Sequence, residues 1–418
     1  MGLSMSALIC VTHDTVDAVL RGLPKVVRLA LGFAARLRRG TLDITLPDGR
    51  TLRMGGLEPG PSAAMTLYNY GFASRLVNGG DIGIAEAYLQ GEWDTPDLTR
   101  FLYLFCVNHD LIQQMLGDRP VMRYVQIARH WLNRNTRRQA RRNIYAHYDI
   151  GNAFYSAWLD PSMTYSSALF EDDTPDLTAA QNNKYRRLAE AIDLKPGQKL
   201  LEIGCGWGGF AEYAAKTYGA ELVGLTISRE QRDFAQARIQ KAGLNEKVEI
   251  RLQDYRDVEG TFDRILSIGM FEHVGHRNYR RFFQTVRDRL REDGLFLLHN
   301  IGGGRSETGG EPWTEKYIFP NSMIPSARQV CAAFEGIFVL EDWHSFGADY
   351  DRTLLAWFRN FDANWNALRG NFDERFRRMW KYYLLSSAGS FRARRNQVWQ
   401  LVLSPRGVPG GLRVRRLP

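Results

Sequence analysis

The chain has 418 residues, of which 44% are apolar and 24% are charged, as in ordinary globular proteins. At about 150 residues per domain, this length predicts two domains or three, and it excludes a single-core miniprotein. The composition also excludes a disordered tail protein and a disulfide scaffold. The chain has 55 Lys and Arg against 46 Asp and Glu, and its net charge of +9 points to an anionic partner such as phospholipid, nucleic acid or an acidic cofactor.

The cysteines and the apolar runs predict the compartment. The 4 cysteines are too scattered for a C-x-x-C metal pair and too few to crosslink such a chain, so we expect a reducing, cytoplasmic compartment and no metal site. No stretch approaches the roughly 18 consecutive apolar residues of a membrane span, and the N-terminal apolar run is too short for a signal peptide. Any lipid contact is therefore expected to be peripheral, at the inner membrane surface.

The N-terminal part is predicted to be a smaller, mainly helical domain. Residues 41–53 alternate apolar and polar side chains around a Pro-Asp-Gly turn, which predicts a β-hairpin. Residues 81–93 and 98–116 have the periodicity of amphipathic helices, and residues 130–145 complete the domain. We place the boundary near residues 140–150, which gives domains of 1–145 and 146–418.

Most of the net charge lies just before this boundary. The thirty residues from Arg119 to Tyr148 contain eight Arg, no Lys and no Asp or Glu, and so carry +8 of the +9. Apolar and aromatic residues recur among the arginines at near-helical spacing. This pattern predicts a basic amphipathic helix at 119–142 on an anionic surface, either lipid headgroups or a phosphate backbone, although a solvated linker has the same composition.

From about residue 183 the pattern changes to short β-rich runs separated by helical ones. The β-rich runs are KLLEIG, ELVGLT, VEIRLQ, FDRILSIG and GLFLLHNIG. This alternation predicts βαβ units and a mainly parallel sheet with helices on both faces. Residues 350–385 are predicted to be helical, and residues 397–404 to form a late strand.

A glycine-rich turn, LEIGCGWGG at 201–209, follows the first of these strands and opens a helix. Glycine allows the tight turn and lets a ligand approach the backbone. The turn lacks the lysine of a phosphate-binding P-loop, and the next strand ends in GLTIS rather than in the acidic residue of a dinucleotide site. The segment is similar to motif I of the S-adenosylmethionine-dependent methyltransferases, and QDY at 253–255 follows the third strand, where that family contacts adenine.

The resemblance covers roughly residues 80–416. The motifs that carry it are YAHYDIGNAFY (145–155), DPSMTYSS (160–167), GCGWGG, GLTIS, QDYRD, GMFEHVG (269–275), LLHNIG (297–302), KYIFPN (316–321), EDWHSFGADYDRTL (341–354) and FRARRNQVWQ (391–400). In this order they resemble the cyclopropane-fatty-acyl-phospholipid synthases, relatives of the mycolic acid cyclopropane synthases. The resemblance implies a Rossmann-like class I methyltransferase sheet, and methylene transfer from S-adenosylmethionine to the cis double bond of an unsaturated acyl chain in a membrane phospholipid.

The resemblance also implies the residues of the two sites. The cofactor would be held by Tyr165, Ser166, Gly204, Cys205, Gly206, Thr226, Gln231, Asp254 and Tyr255. A bound bicarbonate, which takes the proton from the added methyl group, would be held by Glu272, His299, the backbone of Ile301, Tyr350 and Ser167. Family members often have Cys where Ser167 and Ser387 stand here, and Leu169 replaces a frequent Tyr. The two serines argue against a cysteine nucleophile and fit the bicarbonate mechanism, and Leu169 would reshape the pocket. We count Ser167 and Ser387 among the candidate catalytic residues with Glu272, His299, Ile301 and Tyr350.

Three other functions stay open. The first is methyl transfer to the same alkene without ring closure, which gives a branched-chain lipid. The second is a nucleic-acid methyltransferase. Two observations argue against it: the chain lacks an N-P-P-Y-type signature, and its basic residues lie upstream of the catalytic motifs. The third is a non-catalytic lipid-binding protein. We expect the N-terminal domain to dock on anionic membranes and to deliver the acyl chain, with no nucleic-acid partner, and homodimerisation is an expectation from the family alone.

Overall fold

The computed structural model describes residues 8–12, 14–116 and 150–414, which form two units. The first unit contains residues 8–116 and 365–395, and the second contains residues 150–364 and 396–414. The basic segment and the predicted boundary near residue 145 lie outside the described residues. The sequence-based division placed residues 365–395 in the second domain, whereas the structure groups them with the first unit.

The first unit combines helices with a five-stranded sheet of order β1-β3-β2-β4-β5. Its strands are β1 (Leu8–Val11), β2 (Arg39–Thr45), β3 (Thr51–Gly55), β4 (Glu58–Leu67) and β5 (Trp93–Asp94). Its helices are α1 (Val16–Val19), α2 (Lys25–Ala34), α3 (Gly71–Leu89), α4 (Leu98–Val107), α5 (His109–Leu116) and, after the second unit, α14 (Trp365–Leu368) and α15 (Glu374–Arg392). The unit is mainly helical, as predicted.

The predicted hairpin is confirmed as the antiparallel pair β2 and β3. Its alternating side chains Leu42, Ile44, Leu52 and Met54 are buried, so one face of the pair packs into the core. Strands β1, β4 and β5 were not predicted. The helix predicted at 98–116 is divided at Asn108, whose side chain donates to the carbonyl of Leu104 and accepts from two backbone N–H groups of residues 38 and 39.

Helix α15 belongs to the first unit because it packs closely on α4. A Cβ atom at Gly389 would lie 3.1 Å from the backbone nitrogen of Tyr103, so this glycine permits the close approach. Arg378 donates to the carbonyls of Tyr88 and Trp93 and pairs with Asp94 at 3.0 Å. These contacts join residues that are almost three hundred positions apart in the sequence.

The second unit is built on a seven-stranded sheet of order β11-β12-β10-β9-β6-β7-β8. The strands are β6 (Lys199–Ile203), β7 (Glu221–Thr226), β8 (Val248–Leu252), β9 (Phe262–Ile268), β10 (Leu290–Gly303), β11 (Val339–Ser345) and β12 (Asn396–Ser404). Strand β12 is antiparallel to both of its neighbours, and β6 to β10 are parallel. The predicted mainly parallel sheet and its late strand are therefore confirmed.

Helices cover both faces of this sheet. They are α6 (Asn152–Ser156), α7 (Leu177–Ala191), α8 (Gly209–Tyr218), α9 (Arg229–Lys241), α10 (Tyr279–Arg289), α11 (Pro312–Tyr317), α12 (Ala327–Phe334) and α13 (Ala348–Ala363). One core cluster is rich in phenylalanine, with Phe271, Phe282, Phe283 and Phe296, and the other is rich in alanine around α8. Within the described ranges, no helix combines the length and apolarity needed to span a membrane.

Candidate active site

The glycine-rich turn between β6 and α8 lies at the carboxyl edge of the sheet. Gly204 and Gly206 have φ values of 86° and 53°, a left-handed region that favours glycine. The backbone N–H groups of Gly204 and Cys205 both donate to the carbonyl of Leu225 at the end of β7. A Cβ atom at Gly204 would lie 2.9 Å from Cβ of Met270, so the turn has no room for a side chain there.

This turn forms part of a cavity that is lined by all nine of the predicted cofactor residues. They are Tyr165, Ser166, Gly204, Cys205, Gly206, Thr226, Gln231, Asp254 and Tyr255. The structure brings them together because the carboxyl ends of parallel strands meet at one edge of an open α/β sheet. Their contacts with a cofactor stay a prediction.

Hydrogen bonds fix several of these side chains. Thr226 donates to Gln231 at 2.9 Å, which joins the end of β7 to the first turn of α9. The carboxylate of Asp254 accepts two hydrogen bonds from the guanidinium of Arg256, at 2.8 and 2.5 Å. Burial raises the pKa of Tyr255 to about 12, so its phenol stays protonated at neutral pH and can donate a hydrogen bond.

Ser166 is held by two buried side chains of α7 that the sequence analysis missed. Lys184 Nζ donates to Ser166 Oγ at 2.8 Å, and Gln181 Nε2 donates to the Ser166 carbonyl at 3.0 Å. Both side chains are 0% exposed. A polar residue at every third position of α7, at 181, 184 and 187, was the available signal for a buried polar row.

Lys184 shares this buried region with Glu202, which lines the cavity from the end of β6. Burial raises the pKa of Glu202 to about 8 and lowers the pKa of Lys184 to about 7, while their opposite charges counteract both changes. Since desolvation dominates for each group, the pair carries less charge at neutral pH than two exposed residues would. This arrangement reduces the cost of burying the Lys184 amine beside Ser166.

Glu272 and Ile301, two of the predicted bicarbonate residues, are in direct contact. Glu272 follows β9 in a short 3-10 turn, and its Oε1 accepts the backbone N–H of Ile301 at 2.6 Å. Its Oε2 is buried and has no hydrogen-bond partner in the described part of the chain. Burial raises the pKa of Glu272 to about 7, so the carboxyl group can gain or lose a proton near neutral pH.

His299 lies on β10, two residues before Ile301, so the two side chains are on the same face of the strand. It pairs with Ile268 at the end of β9, and its carbonyl accepts the N–H of Gly269. Burial is the main cause that lowers the pKa of His299 well below its ordinary value. The imidazole is therefore neutral at physiological pH and has one N–H to donate.

Tyr350 and the segment after Ser167 are joined through helix α13. The N–H of Ala168 donates to Thr353 Oγ1 at 3.1 Å, less than one turn along α13 from Tyr350. The Tyr350 ring packs on Trp357 at 5.7 Å, and Trp357 lies 5.3 Å from the ring of Tyr165. An aromatic cluster thus links a predicted bicarbonate residue to a predicted cofactor residue.

The two serines predicted as catalytic residues lie in different units, and the cavity has one further histidine that was not predicted. Ser167 is 0% exposed, and its Oγ donates to the carbonyl of Ala168. Ser387 lies on α15 in the first unit, and its role stays a prediction. His273 lines the cofactor cavity, where burial lowers its pKa to about 4, and it was missed because it adjoins Glu272 in the same motif.

The fold and the site are those of a class I S-adenosylmethionine-dependent methyltransferase. The sheet is parallel with one reversed strand, a glycine-rich turn follows its first strand, and an acidic residue follows its third strand. The model of the mycolic acid cyclopropane synthetase family matches residues 135–401. The chain belongs to this family, as the sequence motifs predicted.

Individual relatives agree with this assignment. The chain is 44% identical over 383 residues to a cyclopropane-fatty-acyl-phospholipid synthase of Escherichia coli, which covers 90% of this chain and 98% of the relative. It is 35% identical to the tuberculostearic acid methyltransferase UfaA1 of Mycobacterium tuberculosis, over 90% and 92% of the two chains. The crystal structure of the mycolic acid cyclopropane synthase CmaA1 with SAH and CTAB superposes with a TM-score of 0.58 at 32% identity, over 63% of this chain and 97% of that one.

Proposed function

We propose that this protein transfers a methylene group from S-adenosylmethionine to the cis double bond of unsaturated acyl chains in membrane phospholipids, forming cyclopropane fatty acids. The Escherichia coli relative, which carries that name, supports the substrate class. The observation that carries the chemistry is the Glu272 carboxyl group, with one oxygen bound by a backbone N–H and the other buried without a described partner. This group is suited to proton exchange beside a reacting centre.

The reaction needs a positioned alkene and a dry pocket. The alkene carbon attacks the sulfonium methyl group, S-adenosylhomocysteine leaves, and the resulting cation closes to a ring when the added methyl group loses a proton. The ring of Tyr165 has the rings of Tyr155, Trp158, Phe319 and Trp357 within 6.2 Å. Such an aromatic enclosure excludes water, which would otherwise quench the cation, and its ring faces stabilise positive charge.

A bound bicarbonate would supply the base that takes the proton from the added methyl group, and it would be held by Glu272, His299, the backbone of Ile301 and Tyr350. The residues fit such an anion: His299 and Tyr350 have an N–H and an O–H to donate, and Glu272 has an oxygen in need of a donor. With a pKa of about 7, Glu272 can accept a proton from a hydrogen-bonded hydroxyl at neutral pH. His299, which is neutral, donates without adding a competing acid.

A methyl-branched product is the second candidate. The relative UfaA1, at 35% identity over 90% of this chain, is named a methyltransferase of tuberculostearic acid rather than a cyclopropane synthase. The initial methyl transfer is common to the two outcomes. They differ in how the cation loses its proton: loss from the added methyl group with C–C bond formation closes the ring, whereas loss that forms a C=C bond leaves a branched, unsaturated chain. This choice is made at the step assigned to the Glu272 and His299 region.

We propose an anionic membrane surface as the partner because basic residues are clustered in the N-terminal part of the chain. The predicted helix at 119–142 lies outside the described residues, but a second basic region is described. Residues 18–42 contain six Lys and Arg and no Asp or Glu, and all six side chains are exposed. Exposed Leu29, at 50%, lies on α2 beside Arg28. Each basic residue near an anionic bilayer contributes about 1 kcal/mol, so several suffice for reversible peripheral binding at the cytoplasmic face of the inner membrane.

The test of the reaction is lipid analysis in a host that lacks cyclopropane fatty acids. Expression of the chain should add the mass of one CH₂ to unsaturated acyl chains, in a form that resists mild hydrogenation and whose fragmentation identifies a ring. A gain of one CH₂ in a branched chain that still takes up hydrogen at a C=C bond would favour the second candidate. Unchanged lipids, with S-adenosylmethionine binding shown in the purified protein, would refute both.

A further inference from the structure

A row of buried polar side chains leads from β11 to His299. Arg187 Nη2 lies 3.5 Å from Asp342 Oδ2, Arg187 Nε donates to Gln400 Oε1 at 2.9 Å, and Gln400 Nε2 lies 3.3 Å from His299 Nδ1. All four residues are buried, with exposures from 1% to 8%. They come from β11, α7, β12 and β10 of the second unit, so the row crosses the sheet at the strand that carries His299.

Arginine determines which way the Gln400 amide faces. A guanidinium has five N–H donors and no acceptor, so the atom of Gln400 that meets Arg187 Nε is the amide oxygen. The amide nitrogen then faces His299. Because Asp342 holds the guanidinium on its other side, rotation of the amide would place two donors against each other in a buried site, where an unmade hydrogen bond is destabilising.

The amide orientation in turn determines the tautomer of His299. A neutral imidazole has one N–H and one acceptor nitrogen. Since the Gln400 NH₂ group can only donate, Nδ1 must accept, and the imidazole proton must be on Nε2. An anion is bound by an N–H donor and repelled by a nitrogen lone pair, so the choice of tautomer decides whether His299 can hold an anion.

We propose that Gln400, oriented by Arg187, is a positioning residue that fixes His299 in its Nε2–H tautomer and so gives the anion site an N–H donor. This inference rests on the proposed function only for the identity of the anion. The tautomer itself is a property of the protein alone. The neutral state that the tautomer requires is supported by the lowered pKa of His299, to which burial contributes first and the charge of Lys184 second.

The first test is the wild-type protein without substrate. With histidines labelled by ¹⁵N, the ring nitrogens of His299 are identified as the signals lost in His299→Gln. A protonated-type shift at Nε2 and a lone-pair-type shift at Nδ1 are the expected result. The reverse assignment, or a mixture of the two tautomers, would overturn the proposal without bearing on the lipid reaction.

The second test changes the direction of the hydrogen bond. Gln400→Glu keeps the shape of the side chain, and Arg187 provides a counter-charge, but a carboxylate can only accept and should move the His299 proton to Nδ1. We expect exchanged ring shifts, S-adenosylmethionine affinity within about twofold of wild type, and ring formation lowered on the order of 10²-fold, as for loss of one donor to a developing or bound anion. Unchanged ring shifts in Gln400→Glu would refute the role of Gln400.

Two further variants separate tautomer control from general structure. Gln397→Glu makes the same change on the same strand, where the side-chain oxygen already accepts from Trp399 Nε1 at 3.0 Å. It should keep the wild-type shifts and activity. Gln400→Met removes the donor without adding an acceptor, so it should give mixed tautomers and an intermediate activity. A single Nε2–H tautomer in Gln400→Met would show that another group fixes the ring, against the proposal.

Discussion

Glu272→Gln should raise the stability of the protein while removing ring formation. Burial raises the pKa of the carboxyl group from 4.5 to about 7 in the folded state. The folded protein therefore holds this proton more tightly than the unfolded chain, and its free energy of unfolding falls as the pH rises from about 4.5 to about 7. At 1.36 kcal/mol per unit of pKa, this rise lowers the free energy of unfolding above pH 7 by about 3 kcal/mol.

Glutamine has nearly the same shape and can still accept the Ile301 N–H, but it carries no charge. The variant should thus be more stable than wild type by about 3 kcal/mol at pH 8 and by little at pH 4.5. Urea denaturation at the two pH values measures this difference. Lys184 and Glu202 titrate in both proteins, so comparing the variant with wild type at each pH isolates the contribution of Glu272.

The same variant should bind S-adenosylmethionine normally and make no cyclopropane product, because its amide cannot accept the proton of the bound bicarbonate. Glu335→Gln, an exposed glutamate at the end of α12, is the control and should retain activity. A pH-independent stability difference would show that Glu272 is not desolvated as described. Wild-type product ratios in Glu272→Gln would remove this residue from the mechanism.

Three other predictions test the remaining parts of the site. His299→Ala should lose ring formation and keep cofactor binding, and equilibrium dialysis with lipid analysis measures both; wild-type product would contradict its role. Lys184→Met keeps the apolar stem of the side chain but removes the hydrogen bond to Ser166. Its affinity for S-adenosylmethionine, measured by titration calorimetry, should fall about tenfold, or about 1.4 kcal/mol. The control Lys216→Met, at an exposed position, should not change that affinity. Membrane docking is tested by neutralising four arginines of the basic segment at 119–142, namely Arg134, Arg137, Arg138 and Arg141. Binding to anionic vesicles should weaken and its salt dependence should flatten, and unchanged binding would refute the docking.

The sheet and the cofactor edge could be predicted because local patterns determine them. Buried parallel strands are short apolar runs, and the glycines of the turn have a conformational role that is visible in the sequence. Once the strands are placed, Thr226 and Asp254 must meet at the same edge. Strand β11 was missed because its pairing with β12 has a register shift between Leu340 and Asp342, which breaks the alternation of buried side chains.

The supporting side chains could not be predicted, because they depend on contacts between distant segments. Gln181, Lys184 and Arg187 have helical spacing, but the sequence does not say that their face of α7 lies against the sheet. Arg187 reaches Gln400 across a separation of 213 residues. Likewise, residues 365–395 follow the catalytic motifs, and their place in the first unit depends on tertiary contacts of Arg378 and Gly389.

The serines at 167 and 387 bear on the type of chemistry. A cysteine nucleophile acts as its thiolate, which needs a lowered pKa. Cys205, in the cofactor turn, is buried, and burial raises its pKa well above 9.0, so it stays a thiol. At Ser167 the hydroxyl already donates to a backbone carbonyl, and a serine hydroxyl needs an adjacent base to act as a nucleophile. In the mechanism proposed above, Glu272 and His299 would instead hold an anion and exchange a proton, and that mechanism needs no covalent enzyme intermediate.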